Sequence, residues 1–211
     1  MKIVNATFIT SAADKKGFLK TEKPIICVTG KSNVGKSSFI NMLANQKKLA
    51  KTSNTPGRTR LVNYFDFGEF ILADLPGYGY AKVSKGEKEK WSKTLSDFFD
   101  CTKITHAISL VDIRHDPTEE DRMMINLLYS EIIPFTLVAT KADKLAKTKV
   151  KTQAGIVASK LGLAKGNVIA TSAETRLGKD EVLSAIENAL KIARENEEDI
   201  DNEREEGESA E

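Results

Sequence analysis

The run Gly30-Lys31-Ser32-Asn33-Val34-Gly35-Lys36-Ser37 constrains this chain more than any other stretch. It is an unbroken G-x-x-x-x-G-K-[ST], the form of a loop that cradles phosphates. Such a motif has meaning only between a strand and a helix, and both flanks comply. Ile25-Ile26-Cys27-Val28 is a short apolar run that reads as a buried parallel strand, and from Ser37 to Ala44 the residues Phe39, Ile40 and Leu43 recur at helical spacing. Backbone N–H groups of the loop and of the helix start, Ser38 included, would hold the α- and β-phosphates, because both present positive charge there. Lys36 would reach the β- and γ-oxygens, and the Ser37 hydroxyl would hold Mg²⁺.

The rest of the chain falls into units around that loop. Lys2 to Ile9 is β-prone and predicts a first strand. Gln46 to Arg60 has no hydrophobic period and carries Pro56-Gly57 at its centre, so it predicts a long mobile loop. Leu61–Phe67 and Phe70–Ala73 flank Gly68-Glu69 as a hairpin, and a second flexible stretch, Tyr78 to Val83, leads into a helix from Lys85 to Phe99. Strands at Ala107–Val111, Phe135–Ala139 and Val168–Ala170 alternate with helices from Pro117, over Lys147–Leu161 and over Glu181–Arg194. This order predicts a doubly wound α/β domain built around a P-loop: a mostly parallel sheet with one antiparallel edge strand.

Composition matters at three points. No run approaches the ~18 apolar residues of a membrane span, and the start lacks an apolar signal core. Cys27 and Cys101 are far apart, so a disulfide framework is not expected and a cytoplasmic setting fits. The formal net charge of +2 hides an asymmetry: positions 195–211 hold ten acids and one base, which leaves +11 on residues 1–194. The first segment reads as the folded domain and the second as an acidic, disordered tail. A basic body suits contact with a polyanion such as RNA, although lysine-rich surfaces also serve solubility alone.

Each predicted strand end supplies a part that a Mg-nucleotide site needs. In Asp74-Leu75-Pro76-Gly77, Asp74 would bind Mg²⁺ through a water and the Gly77 N–H would meet the γ-phosphate. Thr59, beside Gly57 and Arg58 in the loop before the hairpin, would coordinate Mg²⁺ and sense the γ-phosphate, with Thr55 as a competitor. Thr140-Lys141-Ala142-Asp143 selects the base. The Asp143 carboxylate can accept from guanine N1–H and the N2 amine, whereas adenine would leave it unpaired. The Lys141 stem can lie across the ring, and Thr140 stands where many GTPases carry Asn, which predicts one weaker base-side contact. Thr171-Ser172-Ala173 would offer the backbone N–H groups of Ser172 and Ala173 to guanine O6.

Gly30–Asn41, Thr55–Arg60, Asp74–Gly79, Val111–Pro117, Thr140–Asp143 and Thr171–Ala173 together resemble the EngB (YihA/YsxC) family of bacterial ribosome-biogenesis GTPases. The likeness runs to about Arg194 and leaves the acidic tail outside. It implies a monomeric GTPase that binds GTP and GDP, uses Mg²⁺, and matures the large ribosomal subunit, with ribosomal RNA and proteins as partners and neither membrane nor DNA among them. It also implies a link to cell division and septation, supports Thr59 as the Mg²⁺ ligand, and places Thr140 within the family's habit. Asn33 would hold a potassium ion beside the β/γ-phosphates, or would cap its own loop backbone.

Lys36 and Thr59 are thus the residues expected to act in catalysis, and no general base is evident. Tyr78 stands where many GTPases carry a water-orienting glutamine, which predicts slow hydrolysis without a partner. Arg58 and Arg60 read as a charge-stabilising arginine, RNA contacts or solvated loop residues; His115 reads as structural or partner-facing, and Trp91 as a packing anchor. Two other readings stay open: a GTPase for another process, such as tRNA modification or protein targeting, and a nucleotide-binding interaction protein with negligible turnover.

Overall fold

The computed structural model describes residues 1–51, 61–79 and 85–208. Seven strands form one sheet: β1 (Thr7–Ala12), β2 (Ile25–Gly30), β3 (Val62–Asp66), β4 (Ile71–Asp74), β5 (Ile104–Asp112), β6 (Phe135–Thr140) and β7 (Ile169–Ala170), in the order β1-β3-β4-β2-β5-β6-β7. Antiparallel pairing is confined to one side, where β3 runs against both β4 and β1, and every other pairing is parallel. The helices are α1 (Lys36–Leu43), α2 (Lys85–Cys101), α3 (Glu119–Ser130), α4 (Lys147–Lys160) and α5 (Lys179–Glu208). This is the expected doubly wound sheet.

β2 is buried at all six positions, which is why its sequence is continuously apolar rather than alternating. One face of it, through Ile26 and Val28, packs with Phe39, Leu43, Val182 and Ile186 from α1 and α5. The other, through Ile25 and Cys27, packs with Phe98 of α2 and Leu128 of α3. A third cluster seats α4 on β5 and β6 through Val157, Val111 and Leu137. Side chains of this size each contribute about 1.5–3 kcal/mol on full burial. The chain lays β3 and β4 on one side of β2, then crosses to β5 on the other. That reversal opens a crevice at the carboxyl ends of the strands, where ligands of such sheets bind.

Three local expectations need correction. The first strand begins at Thr7 rather than Lys2, because Ile3 and Ala6 are taken up by the core beside α1 and α5. The segment after α1 is not free from its start: Asn41 holds it through Nδ2 to the carbonyls of Lys47 (3.3 Å) and Ala50 (2.9 Å) and through Oδ1 to the Ala50 N–H (2.8 Å). The helix over Glu181–Arg194 starts at Lys179 and runs on to Glu208, through most of the stretch expected to be disordered. Lys103–Glu197 (2.7 Å) and Lys191–Glu195 (3.6 Å) lie along its first extra turn. Both pairs are exposed and contribute little, and acids near a helix C-terminus oppose its dipole. Thr55, Gly57, Arg58, Thr59, Arg60 and the stretch Tyr80 to Val83 lie outside the described residues, as does the Trp91 side chain.

Cys27 is buried, with burial pushing its thiol up to about 12, while Cys101 is exposed, and both are free thiols. No helix among the described residues is long and apolar enough to cross a membrane.

Leu72, fully buried in β4, tests this core. Leu72→Ala is expected to lower the unfolding free energy by about 2–5 kcal/mol in a urea titration. Val4→Ala, at a side chain 88% exposed, is expected to stay within about 0.5 kcal/mol.

Candidate functional site

The Gly30–Ser37 run leaves β2 and curls over its end before α1 begins. Gly30 has no room for a side chain: a Cβ there would lie 3.0 Å from the Leu110 carbonyl oxygen. Gly35 precedes α1 in the left-handed region (φ 104°), no side chain caps that helix, and its first turn carries no acid. The leading N–H groups therefore point into the crevice without a competing carboxylate, as an anion site requires. Most of the loop is half-buried, and the Val34 side chain is in the core.

The other predicted parts gather around this loop. Asp74 ends β4 beside it, and its carboxylate is paired with the Lys36 ammonium. Asn63, opposite Asp74 in the β3–β4 register, donates to the second carboxylate oxygen at 3.3 Å. Asp74 is thus held by two donors, and Ser37 follows Lys36 in the first turn of α1. A hydroxyl and a carboxylate are hard oxygen donors of the kind Mg²⁺ takes, and the ion usually completes its shell with water and phosphate. No three His, Cys, Asp or Glu among the described residues form a metal cluster of their own. Leu75 and Pro76 are buried, so they could serve a ligand only through backbone. A Cβ on Gly77 would lie 3.3 Å from both the Gly30 oxygen and the Ser32 nitrogen, so this glycine lets the two loops touch.

At the far side, Thr140 is buried. Its buried hydroxyl donates to the Val34 carbonyl at 2.6 Å and lies 3.1 Å from that of Val111. The threonine therefore pins the phosphate-binding loop to β6, which answers the expectation of a weak base contact with a different task. Lys141 sits at φ 63°, which turns its side chain back over the loop. Its Nζ donates to the Asn33 carbonyl (2.6 Å) and to Asp112 (2.9 Å), and its stem passes Gly35. Asn33 also has positive φ, at 63°, and its side chain is exposed with no hydrogen bond among the described residues; the self-capping alternative is not what is seen.

Asp143 accepts from the Ser172 hydroxyl at 2.7 Å and pairs with Lys144 at 3.0 Å. The Ser172 bond first, then Lys144, hold its carboxyl below the usual range. An ionised acceptor therefore stands ready for an N–H edge. Ala142 is buried, and its N–H donates to the Thr171 carbonyl at 2.9 Å, which joins this loop to the one after β7. The Ser172 N–H is donated to the Leu177 carbonyl (3.1 Å), so of the two groups expected to meet a base oxygen only that of Ala173 remains.

Two residues outside the expected set complete the site. Asp112 takes Arg114 through Nε (2.9 Å) and a terminal nitrogen (2.7 Å) as well as Lys141. Burial pushes its carboxyl up, but the hydrogen bonds from Arg114 and Lys141 outweigh this and hold it well below the ordinary value. Its position at a strand end is a weak signal in sequence, and only the register of β5 with β6, Asp112 opposite Thr140, brings it to Lys141. Tyr78, expected in a flexible stretch, is 2% exposed and points toward α3. A cavity of about 310 Å³ lies between loop and helix, with Lys31, Ser32 and Asn33 on one wall and Arg114, Thr118 and Asp121 on the other. His115 borders it as an exposed residue and is in no position set by a partner side chain.

Known proteins resemble this chain in sequence and in fold. Residues 25–141 match a family described as 50S ribosome-binding GTPase. A "Probable GTP-binding protein EngB" of Caldanaerobacter subterraneus is 41% identical over 192 residues, covering 90% of this chain and 99% of the relative. Its namesake in an Exiguobacterium species is 44% identical over 189 residues, covering 88% and 96%. Among solved structures, a crystal structure of a probable GTP-binding protein engB superposes with a TM-score of 0.66 at 22% identity, covering 79% of this chain and 98% of that one. Era in complex with MgGDPNP and a piece of 16S ribosomal RNA gives 0.64 at 21%, covering 82% and 57%. At such identity a structural likeness carries the fold alone.

The depressed Asp112 carboxyl yields a pH test. A carboxylate with a lowered folded-state pKa adds stability that is present above its unfolded value, about 4, and is lost as pH falls below it. Asp112→Asn is therefore expected to destabilise the protein at pH 7, with the difference from wild type shrinking steadily below about pH 4 in urea titrations.

Proposed function

The chain belongs to the EngB family of GTP-binding proteins, and from that premise we propose a guanine-nucleotide switch that serves assembly of the large ribosomal subunit. One observation carries the reading: Lys36, Asp74, Lys141 and Asp143 come from loops after β2, β4 and β6, yet converge on one crevice. The family description names the 50S subunit for proteins of this kind, and a body of +11 suits ribosomal RNA. The family's tie to cell division and septation follows from the same errand, carried out by a cytoplasmic monomer.

Residues take the following parts. Gly30 to Ser38 hold the phosphates by backbone, with Lys36 moving from Asp74 to the β/γ-oxygens. Asp143 reads guanine, the Lys141 stem supports the ring, and the Ala173 N–H meets O6, with Thr140, Ala142, Thr171 and Ser172 shaping the pocket behind them. Ser37, Asp74 through water, and Thr59 from the loop outside the described residues would hold Mg²⁺, which when bound offsets the negative charge on the phosphate oxygens. Gly57 and Arg58 flank that threonine. Asn33, exposed in the loop, would offer its amide oxygen to a potassium ion. Hydrolysis is slow alone because the Tyr78 ring is directed to α3, and no other described side chain takes the place of a water-orienting glutamine. The GTPase domain spans 1–194, and 195–211 is an acidic appendage to it.

Base selection has a direct test. In Asp143→Asn one acceptor becomes a donor, which opposes the guanine N2 amine but suits the O2 of xanthine. GTP affinity is expected to fall about 10²-fold or more, with xanthosine triphosphate binding restored in the same titration.

The ribosomal errand is tested by co-sedimentation with purified large subunits. Binding is expected with a non-hydrolysable GTP analogue and not with GDP, with turnover rising when subunits are added and running faster in potassium than in sodium buffer. Equal binding in both nucleotide states would rule out a γ-phosphate-gated switch.

A further inference from the structure

Tyr78 has a task of its own. Its hydroxyl donates to Asp121 Oδ1 at 2.8 Å, across 43 residues of chain. Its backbone is held at the same time, with its carbonyl accepting from the Ser32 N–H at 2.7 Å and its N–H donating to the Gly30 carbonyl at 3.4 Å. Lys31 and Tyr78 thereby pair as a short parallel bridge, and Gly77 is laid directly on the phosphate-binding loop.

Asp121 is itself committed. Its second oxygen accepts from the Thr118 N–H (2.7 Å) and the Thr118 hydroxyl (2.8 Å), closing the capping box that starts α3. One carboxylate, in a residue 5% exposed, so spans the first turn of α3 and the loop that carries Gly77. Three donors satisfy it without a cation, and hydrogen bonds to an ionised acceptor are about twice as strong as neutral ones. Burial first, and Asp121 second, hold the Tyr78 phenol well above its ordinary range, so it keeps the proton it donates. A ring with two rotatable bonds transmits position better than a flexible glutamine would.

We propose that Asp121 is a positioning residue for the γ-phosphate: acting through Tyr78, it fixes the height of the Gly77 N–H over the phosphate-binding loop and so sets the preference for GTP over GDP. GDP lacks the group that the Gly77 N–H meets, so the link weighs on one nucleotide and not the other.

The inference rests on the nucleotide reading above, and its test separates the two. Tyr78→Phe keeps the ring and removes the donor, Asp121→Asn alters the acceptor, and Thr118→Ala opens the cap while leaving the Tyr78 contact. Full-length proteins are titrated with a non-hydrolysable GTP analogue and with GDP, and melted in parallel. Tyr78→Phe and Asp121→Asn are each expected to weaken analogue binding about tenfold with GDP affinity within about twofold, and the double variant to be no worse than either. Thr118→Ala is expected to lower Tm with the nucleotide ratio unchanged. Should Asp121→Asn fail to fold, Tyr78→Phe carries the test alone. Analogue and GDP affinities falling together, or an unchanged ratio in Tyr78→Phe, would overturn the proposal. A wild-type protein that binds neither nucleotide would overturn the proposed function and this inference with it.

Discussion

The close approach of β2 to β5 at Gly30 governs the geometry of everything at the carboxyl edge of the sheet. With the Leu110 carbonyl 3.0 Å from where a Cβ would stand, the chain must leave the strand there by turning outward over the crevice. That turn is then secured from both sides. Tyr78 pairs with Lys31 and takes the Ser32 N–H on one flank, and Thr140 holds the Val34 carbonyl on the other. Within the loop the Val34 N–H donates to the Lys31 carbonyl at 3.0 Å, so the N–H groups left for a ligand are those that neither this turn nor Tyr78 takes, and neighbours supply the rest of the rigidity. Buried hydrogen bonds of this kind are worth about 1 kcal/mol each, but loss of one leaves a buried carbonyl unsatisfied and costs more.

Lys141 illustrates how the same principle extends to the base pocket. Its Nζ joins the Asn33 carbonyl to Asp112, so the phosphate loop, the end of β5 and the base-reading loop share one ion-pair network. The lysine is half-shielded and Asp112 more so, a setting in which charges are screened less than at an open surface. The network costs the lysine its freedom and fixes the stem where a planar ring can rest on it. Preorganisation of this sort lowers the ordering cost of binding without adding a contact to the ligand.

How much of this was legible in sequence depended on whether the determinant was local. The phosphate loop was, because strand, glycine spacing and helix follow one another within about twenty residues, and hydrophobic periodicity placed β2, α1, the β3–β4 hairpin and α4 within a residue or two. Asn63 and Asp112 were not, since each acts across a strand pairing, with Asp74 and with the β6 end, that no local pattern reveals. Tyr78 was misplaced in a flexible stretch because its glycine neighbours suggest freedom, while its burial comes from α3, more than forty residues on. The hold of Thr140 on the loop was not legible, since its place in the motif says nothing of the Val34 carbonyl that its hydroxyl meets. The last turns of α5 escaped a composition argument, since an acid-rich stretch with few apolar residues lacks a core-facing stripe and yet continues a helix already nucleated by Val182, Ile186 and Leu190.

The Lys36–Asp74 pair bears on how nucleotide and metal ion must arrive. Both side chains are largely buried, at 15% and 7% exposed, so removing one partner leaves an uncompensated charge at a cost of about 3–5 kcal/mol. A nucleotide that draws Lys36 to its phosphate oxygens strands the Asp74 carboxylate, and Asn63 alone, at 3.3 Å, is a poor substitute for an ammonium. On the proposed function, a divalent cation held by Asp74 would supply the missing positive charge. Nucleotide without metal would then bind against this penalty, and metal without nucleotide would meet a carboxylate already paired with Lys36. The two are thermodynamically coupled through one ion pair, and the coupling is reciprocal by linkage. On that reading, selectivity for the metal-bound nucleotide would follow from the exchange of a single buried counter-ion.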